Sequence, residues 1–148
     1  MPGSRSIAVL FVAIAQLGLV SCAPRKLGDR KETIPVTGII SVDGKPVEGL
    51  RVICKDVAGI DPVRPSVSQC FTDKDGKFAI STYEAGDGVP PGDYQLTYLW
   101  GQFNMNMQYG GPDKLNDRYS DPSKSAQKFP VAPGSKPIDL GKIDLTTK

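Results

Sequence analysis

The stretch VTGIISVDGKPVEGLRVICK, residues 36–55, holds two apolar runs joined by a short turn. Successive side chains of a strand point to opposite faces, so each run places its apolar residues on one face. Asp43 and Gly44 tolerate the positive φ angles of a tight turn, and Asp-Gly between alternating runs is a strong hairpin signal. The apolar faces of the two predicted strands consist of Val36, Ile40 and Val42, then Leu50, Val52 and Cys54.

Five further strands are predicted beyond this hairpin. Residues 67–72 lead into the turn Asp73-Lys74-Asp75-Gly76, and residues 77–82 leave it with Phe78 and Ile80 on one face. The clearest alternation is residues 94–100, in which four aromatic or aliphatic side chains share a face: Tyr94, Leu96, Tyr98 and Trp100. The last two strands lie around residues 129–131 and 138–145, and Gly141 permits a bulge in the latter.

The spacing of these strands predicts the fold class. The 13 prolines and 16 glycines fall mostly between short apolar runs, and no stretch after residue 21 keeps an apolar 3.6-residue period for three turns. Seven short strands with frequent turns favour an all-β sandwich over a barrel.

Four phrases occur in an order that resembles a known family: VTG at 36–38, VDGKPV at 42–47, TDKDGKF at 72–78 and PGDYQL at 91–96. They resemble the carboxypeptidase-regulatory-like, transthyretin-like domain of bacterial envelope lipoproteins. The resemblance spans about residues 33–145 and implies a Greek-key β-sandwich of about seven strands. It implies no catalytic residues. The pattern Leu-x-x-Arg-Tyr-x-Asp-Pro, residues 115–122 here, recurs at this place in the resembling family, which supports a structural role for this stretch. The GDY phrase also predicts a tyrosine corner, in which the Tyr94 hydroxyl bonds to nearby backbone.

The first 21 residues have the order of a secretory signal peptide. Arg5 precedes an apolar run over residues 7–20, which is shorter than the roughly 20 residues that a membrane-spanning helix needs. An ordinary cleaved signal and a short uncleaved anchor are the alternatives. The LVSC at 19–22 resembles the bacterial lipobox, which implies that Cys22 is the acylated first residue of the mature chain.

This interpretation divides the chain into a signal peptide (1–21), a lipid-anchored, flexible, basic tether (22–33) and one β-sandwich domain (34–148). Acyl chains hold a protein stably at a membrane, so we expect a cell-envelope location with the membrane as a partner. Ala23 follows the cysteine, and by resemblance to enterobacterial sorting this favours the outer membrane, facing the periplasm or the cell exterior.

Composition excludes several functions. The 18 basic and 16 acidic side chains nearly balance, which argues against a nucleic-acid partner. The chain has no histidine, so Ser-His-Asp and Cys-His catalysis and imidazole metal sites are excluded. We therefore expect a non-enzyme without a cofactor or a metal.

Cys54 and Cys70 remain once Cys22 is acylated. Disulfides persist in exported proteins, and the two cysteines lie near facing ends of adjacent predicted strands, which predicts a bridge between them. Two separate buried thiols are the alternative. Turning Cys70 inward turns Val67 and Phe71 outward, unless a bulge intervenes.

Three further patterns suggest chemistry but have simpler explanations. Asp73-Lys74-Asp75-Gly76 resembles the start of a calcium loop but lacks its later ligands, so a β-turn explains it. Ser125 and Lys128 match Ser-x-x-Lys without its partner motifs. Asp113, Asp117 and Asp121 could pair as acid and base or simply form turns. These groups define the alternative function, a hydrolase or metal-dependent enzyme.

Residues 101–128 form a long connection, and such connections are often functional. Its aromatic residues, with amides nearby, suit a sugar ring or a protein surface. The predicted ligand-binding residues are Trp100, Phe103, Tyr109 and Tyr119. The alternative is that these side chains cover the open edge of the core. The sequence thus predicts a binding or structural module for an envelope protein or polysaccharide.

Overall fold

The computed structural model describes residues 30–148; the predicted signal peptide, Cys22 and most of the tether lie outside the described residues. The described part contains no α-helix and folds as an all-β sandwich. The strands in chain order are β1 (Val36–Val42), β2 (Lys45–Pro46), β3 (Arg51–Asp56), β4 (Ser68–Phe71), β5 (Lys77–Ala79), β6 (Gly92–Leu99), β7 (Gln102–Phe103), β8 (Tyr109–Gly110), β9 (Lys128–Val131) and β10 (Ile138–Leu145).

Two four-stranded sheets form the sandwich. In the first sheet β1 is central, with β10 parallel on one side and β2 and β5 antiparallel on the other. The second sheet has the order β4-β3-β6-β9 and is antiparallel throughout. All seven predicted strands are present, and three two-residue strands are added to them. The predicted hairpin between residues 36–42 and 47–55 is wrong in its pairing, because the Asp43-Gly44 turn pairs β1 with the short β2 and β3 then crosses to the second sheet.

The core lies between the inner faces of these sheets, as the period-2 pattern predicts. The buried apolar side chains include those on the predicted faces: Val36, Ile40, Val42, Leu50, Val52, Cys54, Phe78, Ile80, Tyr94, Leu96 and Tyr98. Trp100 is only half-buried because β6 ends one residue before it. Burial of this apolar surface is the main stabilising term of the fold.

The predicted bulge and tyrosine corner are both confirmed. The β1–β10 register shifts between Thr37 and Ile39, and Gly141 in the opposing stretch of β10 has a φ of 67°. A bulge of this kind needs a residue that tolerates positive φ. The Tyr94 hydroxyl donates to the Pro90 carbonyl at 2.8 Å.

Candidate functional site

An ordered hairpin, β7–β8, leaves the sandwich directly after β6. Phe103 pairs with Tyr109 across its two short strands. At its turn the Asn104 side-chain oxygen accepts hydrogen bonds from the backbone N–H groups of Asn106 (2.9 Å) and Gln108 (3.0 Å). Asparagine favours turns because its side chain can bond backbone groups in this way. The hairpin tip therefore has a defined conformation, set by its own sequence.

Tyr109 fastens this hairpin to the sandwich. Its hydroxyl oxygen accepts the Gly101 N–H at 2.7 Å and lies 2.8 Å from the Gly49 carbonyl and 2.9 Å from the Leu99 carbonyl. The hydroxyl can donate its proton to either carbonyl. Burial raises the pKa of this phenol, so it stays protonated as a donor at neutral pH.

Three aromatic rings form a cluster at the base of the hairpin. Phe71 of β4 lies 5.2 Å from Phe103 and 4.8 Å from Tyr109, and Phe103 lies 5.0 Å from Tyr109, measured between ring centroids. The rings are tilted or edge-on, the geometries that aromatic pairs prefer. The cluster supports the hairpin from the outer face of the second sheet.

The hairpin exposes several large apolar side chains, of which Phe103 and Phe71 contact each other. Met105 and Met107 at the tip are 102% and 79% exposed, Phe103 is 48% exposed, and Phe71 is 39% exposed. We call these four residues the hairpin patch. The opposite side of the hairpin is polar, with an open cleft of about 360 Å³ whose wall includes Gln102, Asn104 and Gln108. Exposed large apolar side chains that adjoin one another mark interaction sites more often than isolated ones do.

The structure divides the four predicted ligand-binding residues into two groups. Phe103 and Tyr109 belong to the hairpin, whereas Trp100 and Tyr119 pack against the core. The Lys114 ammonium lies 4.8 Å from the centroid of the Trp100 ring and covers it. Tyr119 contacts Tyr98 edge-on at 6.1 Å, and its hydroxyl accepts the Thr146 N–H at 3.0 Å. Trp100 and Tyr119 thus cover the sandwich edge, as the alternative interpretation expects.

Sequence reasoning missed Phe71 and the two methionines as site residues. The signal for Phe71 was strand parity: Cys70 faces inward, so Phe71 faces outward and reaches the hairpin. The signal for the turn at residues 104–108 was Asn104, a residue type that favours turns, but no periodicity marks the short strands on either side of it or the exposure of Met105 and Met107.

The predicted disulfide is absent, and this expectation is corrected. Cys54 and Cys70 are free thiols on the inner face of the second sheet. The β3–β4 register pairs Cys54 with Ser68 and Cys70 with Val52, so the cysteines are diagonal neighbours. Diagonal neighbours lie roughly 7–8 Å apart, with their Cβ atoms only somewhat closer, whereas a disulfide needs Cβ atoms about 3.5–4.5 Å apart.

The groups behind the enzyme alternative are engaged in turns. The Ser125 hydroxyl donates to the Gln127 carbonyl and the Lys128 ammonium to the Ser123 carbonyl, so these two side chains do not bond each other. Asp113 accepts the backbone N–H groups of Trp100 and Leu115.

The carboxylates of Asp121 and Asp73 behave in the same way, whereas Asp117 takes part in its turn through its backbone groups. The Asp121 carboxylate accepts Ser123 groups, and Asp73 accepts the backbone N–H groups of Asp75 and Lys77 across the β4–β5 turn. Within residues 30–148, no three His, Cys, Asp or Glu side chains come close enough to hold a metal ion. In that same part of the chain, no helix has the length and apolar character to span a membrane.

No protein-family model and no curated protein matches this chain. Among solved structures, the chain is similar to BcpA, the major pilin subunit of Bacillus cereus, with 15% identity and a TM-score of 0.46 over 78% of this chain and 30% of the pilin. The D312A variant of that pilin gives 12% identity and a TM-score of 0.44 over 76% of this chain. The chain thus spans less than a third of the pilin's length.

A third similar structure is the dioxygenase domain of a carbohydrate-binding fusion from Streptomyces sp. SirexAA-E. It is 16% identical, with a TM-score of 0.37 over 81% of this chain and 82% of that domain. These likenesses, at such identities and scores, assign no function to this chain.

Proposed function

We propose that this chain is a lipid-anchored, non-catalytic module of the bacterial cell envelope that docks a protein through the hairpin patch. The observation that carries the proposal is the hairpin itself. Its ordered turn exposes Met105 and Met107. The Phe103 ring packs against the rings of Phe71 and Tyr109. An apolar surface on an ordered backbone is suited to binding, because docking then costs little backbone conformational entropy.

The chemistry of the patch favours a protein over a polysaccharide. Methionine side chains are flexible and polarizable and adapt to irregular apolar surfaces, and Met and Phe are enriched at protein interfaces. Stacking on a sugar needs a free ring face, but Lys114 covers the Trp100 ring. The amide-lined cleft on the other side of the hairpin is the place where a polysaccharide would bind instead.

The position of the hairpin also supports an external partner. Lys31, near the start of the described residues, pairs with Asp61 at 2.6 Å in the β3–β4 connection. This connection begins after Asp56, and Asp56 pairs with Tyr94 near the beginning of β6. The hairpin instead follows the end of β6, at Leu99. Eight strand residues span about 25 Å. An anchor at Cys22 would therefore leave the hairpin patch at the far end of the sandwich.

The anchor and the family are part of the proposal. The LVSC phrase at 19–22 and the four transthyretin-like phrases support them, and the all-β sandwich agrees with the fold that the resemblance implies.

Site-specific photo-cross-linking in cells tests the docking surface. A photoreactive residue replaces Met105, and in a matched control it replaces Val63, which is 83% exposed at the opposite end of the sandwich. We expect one discrete protein adduct from position 105 and none from position 63. An identical pattern from both positions, or an adduct with polysaccharide alone, would contradict a protein-docking role for the patch.

A further inference from the structure

A segment between β8 and β9 covers one edge of the second sheet next to β6. The Leu96 N–H bonds to the Gln127 carbonyl at 3.1 Å and the Tyr98 N–H bonds to the Tyr119 carbonyl at 3.0 Å. Between these two points the chain leaves the strand and makes the 3₁₀ turn Pro122–Lys124. We call residues 120–126 the cover segment.

A cavity of about 110 Å³ lies under the cover segment. Its apolar wall includes Leu96 and Leu145, and Ser125 and Gln127 contribute from the cover segment side. This is far smaller than the roughly 300–1,000 Å³ of a pocket for a drug-sized ligand. It exceeds the roughly 10–15 Å³ that a single water molecule requires.

Tyr98 is part of the wall of this cavity, and its buried hydroxyl has no hydrogen-bond partner in the described part of the protein. Its side chain is only 2% exposed, and its hydroxyl is the one buried side-chain oxygen or nitrogen in residues 30–148 with no protein hydrogen-bond partner. The neighbouring Tyr119 differs, because its hydroxyl accepts a backbone N–H. Buried polar groups in folded proteins are almost always hydrogen-bonded, since an unpaired one costs free energy.

We infer that the cavity is a binding site for ordered water, and that the Tyr98 hydroxyl is the group that holds it. A bound water needs hydrogen-bond partners on more than one side of the cavity. Tyr98 supplies a hydroxyl from the core side, and Ser125 and Gln127 supply polar side chains from the side of the cover segment. Water bound there links the core strand β6 to the segment that closes the sandwich edge. This inference is independent of the docking function proposed above.

The Tyr98→Phe variant tests the inference by thermal unfolding of the purified full chain in detergent. Loss of a water-mediated hydrogen bond should lower the Tm by about 3 °C or more. An unchanged or raised Tm would overturn the inference, since removal of an unpaired buried hydroxyl costs nothing. The matched comparison is Tyr119→Phe on the same cavity wall, which removes a hydroxyl bonded to the Thr146 N–H, so its fall in Tm shows what loss of one hydrogen bond costs at this place.

A second measurement uses the unmodified chain and does not depend on how the variant folds. NMR should show cross-relaxation between water and the Leu96 or Leu145 methyl groups, and xenon should leave these methyl shifts unchanged. Xenon binding at these methyls without water contacts would show a dry cavity, because dry apolar cavities bind xenon, and would overturn the inference.

Discussion

At the scale of single residues, the Thr72 side chain holds the stretch of chain between β2 and β3 in place. It is buried, its hydroxyl donates to the Val47 carbonyl at 2.6 Å, and it accepts the Leu50 N–H at 3.0 Å. One hydroxyl thus satisfies two backbone groups in the stretch that connects β2 with β3.

The Thr72→Val substitution should therefore destabilise the fold strongly. Valine keeps the shape but leaves both backbone groups unpaired, so we expect a loss of about 2–4 kcal/mol in the free energy of unfolding, measured with urea. The control is Thr97→Val: Thr97 is equally buried, but its hydroxyl lies 3.5 Å from the Ile53 carbonyl, which makes at most a weak bond. Equal losses in the two variants would contradict this role of Thr72.

The two cysteines lead to a second prediction at this scale. Burial raises the pKa of both thiols, to about 12 for Cys70, so neither forms the reactive thiolate at neutral pH. We expect maleimide to label Cys54 and Cys70 only after denaturation, and reduction to leave the mass of the chain unchanged. A gain of about 2 Da on reduction, the mass of the two hydrogens that cleavage of a disulfide adds at its cysteines, would show that the bridge forms after all.

At the scale of elements, the sequence predicts most of the sandwich and little of the hairpin. Strands such as β1 and β10 bury one face, so alternation marks them, and their predicted ranges agree with the structure. The strands β7 and β8 have two residues each and arise from the side-chain bonds of Asn104, so no periodicity marks them. The prediction of a disulfide between Cys54 and Cys70 was wrong, because the pairing register of two strands depends on turn geometry, which the spacing of the cysteines does not reveal.

The connection between β3 and β4 yields a prediction of pH dependence. The Asp61 carboxylate accepts hydrogen bonds from the Lys31 ammonium and from the backbone N–H groups of Val63 and Arg64. These bonds lower the pKa of the Asp61 carboxyl to about 2. An unfolded aspartate has a pKa of about 3.9. Between these values the unfolded state binds more protons, so this contribution to stability is present above about pH 4 and is lost as the pH falls toward 2.

The measurement is urea unfolding between pH 2 and pH 7. The stability of the wild type should fall more steeply below pH 4 than that of Asp61→Asn, which lacks the titrating group. Asp75→Asn, at an exposed carboxylate on the β4–β5 turn, should keep the wild-type dependence. A wild-type slope in Asp61→Asn would show that this ion pair adds nothing.

At the scale of the whole molecule, the two ends of the sandwich carry different elements, although the β3–β4 end also exposes apolar side chains such as Ile60 and Val63. One end holds Lys31, the β3–β4 connection and a cavity of about 170 Å³ beside Cys54 and Tyr94. The other end holds the hairpin patch. A chain anchored near the first end presents the second end to its surroundings, which is the arrangement that a docking module requires.

The anchor is tested by the intact mass of the native protein. We expect residues 22–148 plus acyl chains, because the proposed anchor makes Cys22 the acylated first residue of the mature chain. A mass that begins at Met1, or at a residue other than Cys22, would contradict the anchor and the orientation that follows from it.

Binding by matched surface variants tests the central claim most directly. The partner cross-linked at position 105 is titrated with the wild type, with Met105→Gln/Met107→Gln, and with Ile60→Gln/Val63→Gln, whose residues are exposed at the opposite end. If the hairpin patch is the docking surface, the methionine pair raises Kd about tenfold or more, as expected for loss of about 1.4 kcal/mol of contact energy, and the other pair leaves Kd unchanged. An unchanged Kd for the methionine pair, or an equal rise for both pairs, would contradict it.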